Sequence, residues 1–410
     1  MHSRDWLNRW FDRVISPQVR ILRKPRSAFQ VFGVVGALLA IALAAGMAVH
    51  LRLRLPVIGM LALAAAFTFF AVIMATKIVT GVEQIIYYHH EIAVVAVSAL
   101  LLWRLHQPVL PYLDLMILGI GTFLFCGRIG CLMVGCCHGR PCRFGVCYQP
   151  QHAAAGFNPD LVSVRLFPIQ GVESLSVFCI VTVGASFVLM GYPAGAALTW
   201  YVVAYDLARF SFEFMRGDSE RPYFWGFSQA QWISVLLMYL VVWGEHQGFL
   251  PYARWHTGVA AGLSLWMASV ALKRRIEKTD KFRLLHPRHI AEVAAMLQDI
   301  AESPVEPLPI GQWTILPRQL NQPSAIPVAC TSMGVQISRG QMRDWSGRVD
   351  HYTFSLRNGG MTEETARVLA GLILQLNGGT GSSEFVTGNR DVFHLLISPK
   401  ALTRSESLMP

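Results

Sequence analysis

Residues 27–51 read "SAFQVFGVVGALLAIALAAGMAVHL" and contain no Asp, Glu, Lys or Arg. About 20 such residues cross roughly 30 Å of hydrocarbon as a helix. A soluble helix of that length would carry a charged outer face, and this one has none. Leu55–Thr76, Ser174–Tyr205, Pro222–Gly244 and Trp255–Leu272 are uncharged in the same way. Charged residues make up 15% of the 410 and hydrophobic ones 53%, whereas soluble domains carry about 25% charged residues. The chain therefore reads as a mainly α, polytopic helical membrane protein, which excludes a large soluble enzyme up to Leu272. Eight candidate spans lie near 31–50, 56–76, 85–104, 109–134, 171–191, 195–215, 228–244 and 256–272. The last is short enough to be interfacial, so seven or eight cross.

The flanks are basic. Seven Lys/Arg lie in the first 26 residues, interleaved with Trp6, Trp10 and Phe11, an interfacial lead-in unlike a cleavable signal. Six more follow the last span, from Lys273 to Arg283. This formal net charge of +10 points to anionic lipid headgroups. Nucleic acid is not an expected partner, because the basic residues flank spans and form no single patch. Beyond the spans, Pro287–Ala301 predicts a short amphipathic helix, and Glu302–Pro327, with six prolines, a linker. Val328–Ser338 and Asp350–Leu356 read as strands. Thr362 caps a helix running to about Leu376, and "EFVTGNRDVFHLLIS" closes as a hairpin or strand. The expected organisation is a basic segment 1–29, a transmembrane domain 30–275, a helix and linker 276–327, and a small α+β domain 328–410 with a mobile tail.

Ionisable groups inside spans cost about 2.5–3.5 kcal/mol each on insertion scales, which marks them as functional candidates. Arg128 sits in "CGRIGC" near the end of the fourth span; its bland alternative is an arginine snorkelling to the interface. Tyr205, Arg209, Glu213 and Arg216 in "YDLARFSFEFMRGD" follow spacings of four, four and three, which line one helix face. A structural ion pair would account for Arg209 and Glu213 alone. His89, His90 and Glu91 open the third span, where adjacent histidines point to different faces and only one can serve a given site. Gln170 and Glu173 start the fifth span, where a carboxylate can orient an arginine or accept a proton.

Six of eight cysteines fall between Phe125 and Cys147 with the spacing C-x4-C-x4-CC-x4-C-x4-C. Zinc sites favour shorter spacings joined by a longer loop, so no metal is expected, although Cys136, Cys137, His138 and Cys142 can in principle collect one ion. A disulfide among Cys136, Cys137, Cys142 and Cys147 suits an oxidising compartment. Cys126 and Cys131 are five residues apart and do not share a helix face.

With these residues in view, the chain resembles the prolipoprotein diacylglyceryl transferases across roughly spans two to seven. "GRIGCLMVGCCHGR" is similar to the family's G-R-x-G-N-x-x-x-G-E-x-x-G-R, matching at Arg128, Gly130, Gly135, Gly139 and Arg140. "YDLARFSFEFMRGD" is similar to Y-x-x-x-R-x-x-x-E-x-x-R. "SQAQWIS" resembles M-G-Q-x-x-S and brings in Gln231, while "FPIQGVES" resembles H-P-S-Q-x-x-E and keeps Gln170 and Glu173. The sequence departs where the family's Asn is Cys131, its loop Glu is Cys136, and the His of H-P-S-Q is Phe167. His89 or His90 stands alone for a His-Gly-Gly.

The resemblance implies an enzyme of the bacterial plasma (inner) membrane, multi-pass, that needs no cofactor. Such an enzyme moves the diacylglyceryl group of phosphatidylglycerol to a thiol of a lipobox-bearing prolipoprotein or related acceptor and releases glycerol phosphate. It implies Arg128 and Arg209 at the phosphate, with His90, His89 or Glu173 as base and His138 as a weaker candidate. Tyr205, Glu213, Arg216, Gly139, Arg140, Gln170 and Gln231 would then line the substrate. The competing reading is a non-catalytic phospholipid-binding or thiol-redox membrane protein on the same scaffold.

Overall fold

The computed structural model describes residues 2–21, 23–81, 86–276, 281–302, 308–309, 328–344, 347–378, 382–388 and 391–398. Helix α1 (His2–Val14) leads through a hairpin of β1 (Gln18–Ile21) and β2 (Lys24–Ser27) into α2 (Ala28–His50), followed by α3 (Leu55–Thr80), α4 (Tyr87–Arg104) and α5 (Val109–Val134). The next loop holds β3 (Pro141–Cys147), the single turn α6 (Pro150–Ala153) and β4 (Arg165–Leu166), which pairs antiparallel with β3. Then come α7 (Ile169–Leu189), α8 (Ala196–Phe212), a hairpin of β5 (Tyr223–Phe224) and β6 (Phe227–Ser228), α9 (Gln229–His246) and α10 (Arg254–Ile276).

Four helices, α2, α3, α5 and α7, are long and apolar enough to cross a membrane. The expected seven or eight do not all reach that length and composition among the described residues. Helix α8 has only 17 residues, α4 opens on Tyr-Tyr-His-His-Glu, and α10 ends in Lys273, Arg274 and Arg275.

Helix α5 is the axis of the bundle, with buried residues on every face from Tyr112 to Cys131. It runs antiparallel to α2. A Cβ on Gly36 would come within 2.8 Å of Cys126 Cβ, while Gly119 faces Ala40 and Gly130 faces Phe29. Gly36, Ala40, Ala44 and Ala48 recur every four residues on α2, a small-residue stripe that lets two helix backbones approach closely where lipid offers no hydrophobic drive. On the other side, Ser174 Oγ donates to the Phe125 carbonyl (2.9 Å) and Trp200 Nε1 donates to that of Ile180 (3.0 Å), so α7 and α8 continue the alternation. Asp114 adds a contact that the sequence reading passed over. Its buried carboxylate accepts from Gly195 N (2.7 Å) and Leu198 N (2.8 Å), satisfying orphan donors at the start of α8 from a neighbouring helix. Large apolar side chains such as Phe67, Ile78 and Val79 of α3 point outward and exposed, as a lipid-facing surface requires.

Beyond α10 lie the single turn α11 (Lys281–Leu284), α12 (Pro287–Glu302) and a sheet with α13 (Glu363–Leu376). The sheet comprises β7 (Leu308–Pro309), β8 (Val328–Cys330), β9 (Val335–Asp344), β10 (Gly347–Leu356), β11 (Ser382–Thr387) and β12 (Phe393–Ser398), in the order β11-β12-β10-β9-β7 with β8 also on β9. The expected strand over 328–338 is broken, because Gly334 turns at φ 79° between β8 and β9. Thr362 does cap α13, accepting from Thr365 N (3.2 Å). Most of the expected linker over 302–327 and the tail from 399 lie outside the described residues.

One apolar cluster joins this C-terminal part to the helices, running from Ile15 through Val146, Phe157 and Leu161 to Leu297, Ile337 and Phe354. Helix α1 packs on the same loop. Asn8 accepts from Gly145 N (3.0 Å) and Asp12 pairs with Arg165 (2.9 Å). The basic N-terminus, the cysteine-rich loop and the exit from α10 therefore share one end of the bundle.

The α2–α5 contact predicts a position-specific cost. Gly36→Leu should destabilise the protein by about 1–3 kcal/mol through overpacking, read as a lowered midpoint of thermal unfolding in detergent. Gly33→Leu, where a Cβ meets nothing within 4 Å, should leave it unchanged.

Candidate functional site

Helix α7 starts at Ile169 with Gln170 and Glu173 in its first two turns, and both are 1% exposed. A carboxylate so buried costs several kcal/mol unless it is paired and hydrogen-bonded. Four groups answer Glu173. Arg128 Nε of α5 lies 3.0 Å from Oε2, and Arg216 Nη1 lies 4.0 Å from the same atom. Tyr205 Oη of α8 donates to Oε1 at 2.9 Å, and Arg209 Nη1 lies 3.5 Å from it. The Arg128–Glu173 contact is an ion pair without hydrogen-bond alignment at Nε, and among the described residues the Arg128 guanidinium has no hydrogen-bond partner.

The network continues outward. Arg209 Nη2 meets Glu213 at 2.8 Å, Glu213 also pairs with Arg221, and Asp218 receives Arg216 (3.0 and 3.2 Å) and Arg221 (2.8 Å). Burial alone would push the Asp218 carboxyl up, but Arg216 and Arg221 outweigh it and hold it below its ordinary value. Arg128, Arg209, Arg216 and Arg221 against Glu173, Glu213 and Asp218 leave one excess positive charge. Arg140 raises the excess to two; its Nε donates to the Arg216 carbonyl (3.3 Å). The field reaches His286, which burial together with Arg288, Arg140 and Arg221 pushes down to about 4.

The arginine stripe expected on one helix is only partly helical. Helix α8 ends at Phe212, and Arg216 lies in an extended segment bridged to Gly139. Arg140 N donates to the Met215 carbonyl (3.0 Å) and Gly217 N to that of His138 (2.9 Å). A Cβ on Gly217 would fall 2.3 Å from the Gly139 oxygen, so this close crossing needs glycine. It sets Arg140 beside Arg216.

Of the other expected residues, Gln170 and Gln231 bond to backbone nearby, while among the described residues His89 and His90 make no hydrogen bond or ion pair with this centre. Gln170 Nε2 donates to the Cys136 carbonyl (2.8 Å). Gln231 forms a capping box with Ser228 at the start of α9 and donates to the Phe210 carbonyl (3.3 Å), so its amide is engaged within the protein. Tyr87 at the start of α4 shares a hydroxyl contact with Tyr201 (3.1 Å) and an edge contact with the Tyr205 ring. His90 is buried with Nδ1 on the Ile86 carbonyl (2.9 Å), and its Nε2 has no partner. His89 is less buried and packs on Tyr88. A cleft of about 390 Å³ opens beside Arg140, lined also by Arg274, Phe214 and Trp266.

All eight cysteines are free. The Sγ atoms of Cys131, Cys136 and Cys137 lie within 4.8 Å of one another. The set the spacing suggested does not assemble. His138 turns Nδ1 to the Gly139 carbonyl (2.9 Å), Cys142 and Cys147 lie on β3, and Cys126 faces α2. Sequence reading also missed Arg221 and Asp218. The run "MRGDSER" signals them by charge density, but a loop has no period to say which way they point.

Residues 85–244 match the prolipoprotein diacylglyceryl transferase family. A phosphatidylglycerol–prolipoprotein diacylglyceryl transferase of Clostridium tetani is 30% identical over 115 residues, 27% of this chain and 43% of that protein. A second, from Clostridium perfringens, is 28% identical over 132 residues, 32% of this chain and 49% of its own. One from Dehalococcoides mccartyi is 29% identical over 132 residues, covering 32% and 48%. The chain thus spans less than half the length of these relatives. Glu173, Arg128 and the Tyr205–Arg221 segment all fall inside the matched stretch, and over residues 85–244 the chain is related to the prolipoprotein diacylglyceryl transferases.

Proposed function

We propose that this protein transfers the diacylglyceryl group of phosphatidylglycerol to a cysteine thiol of a prolipoprotein or related acceptor. The acceptor sulfur attacks the glycerol carbon, the carbon–oxygen bond to phosphate breaks, and glycerol phosphate leaves with the electron pair. The observation that carries the reading is Arg128. It is buried, with Nε 3.0 Å from Glu173 Oε2, and among the described residues its guanidinium makes no aligned hydrogen bond to protein. A fixed guanidinium in a water-poor pocket is the group that stabilises a leaving phosphate.

Arg209 shares Glu173 with Arg128 and would hold the phosphate from the other side. Glu173 is engaged by three arginines and a tyrosine, which favours orientation over proton transfer. His90 is the better base. Its Nδ1 is bonded to the Ile86 carbonyl, and among the described residues its Nε2 has no hydrogen-bond partner. The cleft beside Arg140, whose lining mixes Arg274 and Lys273 with Phe214 and Trp266, suits the approach of an anionic lipid toward the arginine–carboxylate centre. A second reading, a thiol-redox protein that binds phospholipid without transferring it, draws on the three adjacent thiols.

We further infer that α4, α8, α9 and α10 cross the bacterial inner membrane alongside α2, α3, α5 and α7. An even count brings both basic flanks to one end, which the positive-inside rule directs to the cytoplasm, whereas the family resemblance implies a periplasmic side for the cysteine loop and Arg209.

Incubated with phosphatidylglycerol and a lipobox peptide, the purified protein should give thioether-linked diacylglyceryl peptide by mass spectrometry. Absence of product with an active relative as control would remove the transferase reading. Arg128→Ala and Arg209→Ala should each cost about 10²–10³-fold in rate, and Arg128→Lys should not rescue. Gly217→Ala, which changes no charge, should also lower the rate by about tenfold or more through displacement of Arg216. In a variant keeping Cys142 alone, an impermeant maleimide should label cells only after permeabilisation; labelling of intact cells would reverse the orientation.

A further inference from the structure

We propose that Cys131, Cys136 and Cys137 form a tri-thiolate site for a divalent cation of zinc-like chemistry. The three Sγ atoms already lie within 4.8 Å of one another. A tetrahedral centre with metal–sulfur bonds of about 2.3 Å sets its sulfurs roughly 3.8 Å apart, so closure needs only a small contraction. Of these cysteines Cys131 is buried, Cys137 half-buried and Cys136 exposed, so the site has a dry wall and an open side.

The backbone is bent to bring the sulfurs together. Helix α5 ends at Gly135 with φ 92°, and a Cβ there would strike the Phe157 ring at 2.6 Å. Cys137 then takes φ 54°, a left-handed conformation that is strained for a non-glycine residue and persists where surroundings impose it. The reversal returns Cys136 and Cys137 onto Cys131, one and a half turns back along α5. Gln170 Nε2 pins the Cys136 carbonyl and its neighbour Tyr148 donates to that of Leu132 (3.0 Å). Such outer partners fix ligating residues in metal sites.

The charge count is compatible with such a centre. A dication with three thiolates carries −1. With Arg140 counted, the arginine–carboxylate network carries an excess of +2. The metal centre would offset one unit and leave one for a phosphodiester. A monovalent cation would leave the site at −2 and remove all of that excess. Where the related family has Asn and Glu, Cys131 and Cys136 supply the sulfur that this centre requires. Binding converts three thiols to thiolates and releases up to three protons to solvent. The fourth position is left for water or an incoming thiol.

The test uses the full chain purified in detergent under reductant and dialysed against zinc-containing and then zinc-free buffer. Elemental analysis should give about one zinc per chain. Cys131→Ser, Cys136→Ser and Cys137→Ser should each weaken retention roughly 10–100-fold, and Cys126→Ser and Cys142→Ser should retain it. Cobalt loading of the wild type should give a sulfur-to-metal charge-transfer band in the near ultraviolet. Zinc should also protect the three thiols from alkylation in the unmutated chain, a readout that survives if a variant fails to fold. Reduced, fully alkylated thiols unaffected by zinc, with no cobalt band, would overturn the proposal. So would a disulfide between two of the three in protein trapped from cells, which would make the cluster a redox pair.

Discussion

The Glu173 carboxylate is the constraint around which the site is arranged. It is buried at the start of α7 and reached by Arg128 from α5 and by Tyr205 and Arg209 from α8. Removing one partner of a buried ion pair costs about 3–5 kcal/mol, because the other charge stays behind unpaired. Three helices are thereby tied at one point, and their registers are fixed relative to one another. The small-residue contact between α2 and α5 and the Asp114 contact with α8 then set the rest of the bundle around a point already determined.

Alternating charge explains how so many ions survive where water is scarce. Glu173, Glu213 and Asp218 each touch at least two guanidiniums. In a low dielectric such alternation is the arrangement that repays desolvation. The arrangement stops short of neutrality. Among the described residues the Arg128 guanidinium also lacks a hydrogen-bond partner, and an anion beside it would offset the surplus positive charge. A purely structural ion network would have closed on itself.

Much of this was legible in the sequence where a period carried it. The uncharged runs gave the helices, and spacings of four gave Tyr205, Arg209 and Glu213 on one face. Thr362 announced its helix by capping chemistry. Legibility failed where the chain leaves a period. Arg216 lies past the end of α8, and Arg221 and Asp218 sit in a loop whose direction depends on the Gly139–Gly217 crossing. The cysteine cluster was hidden for the same reason. Helix arithmetic separates Cys131 from its neighbours, and only the left-handed turn at Cys137 folds the chain back. Asp114 was missed because its partners are backbone N–H groups, which have no residue type to recognise.

The related stretch ends at 244, yet the site's support does not. Arg288, at the start of α12, donates from Nε to the Ser219 carbonyl and from Nη2 to that of Arg221 (both 3.3 Å). Arg274 Nη1 holds the Gly226 carbonyl at 2.6 Å and stacks on Phe282. Both act on the loop that carries Asp218 and Arg221, adding polar tethers to the apolar packing of Phe214 and Phe227. A loop bearing two like-charged arginines is pushed apart unless its backbone is tethered, and here the tethers come from outside the matched stretch. The apolar cluster from Ile15 to Phe354 anchors those tethers in turn. The C-terminal region thus acts as a brace for the outer half of the charge network, and the N-terminal helix closes the opposite side of the cysteine loop.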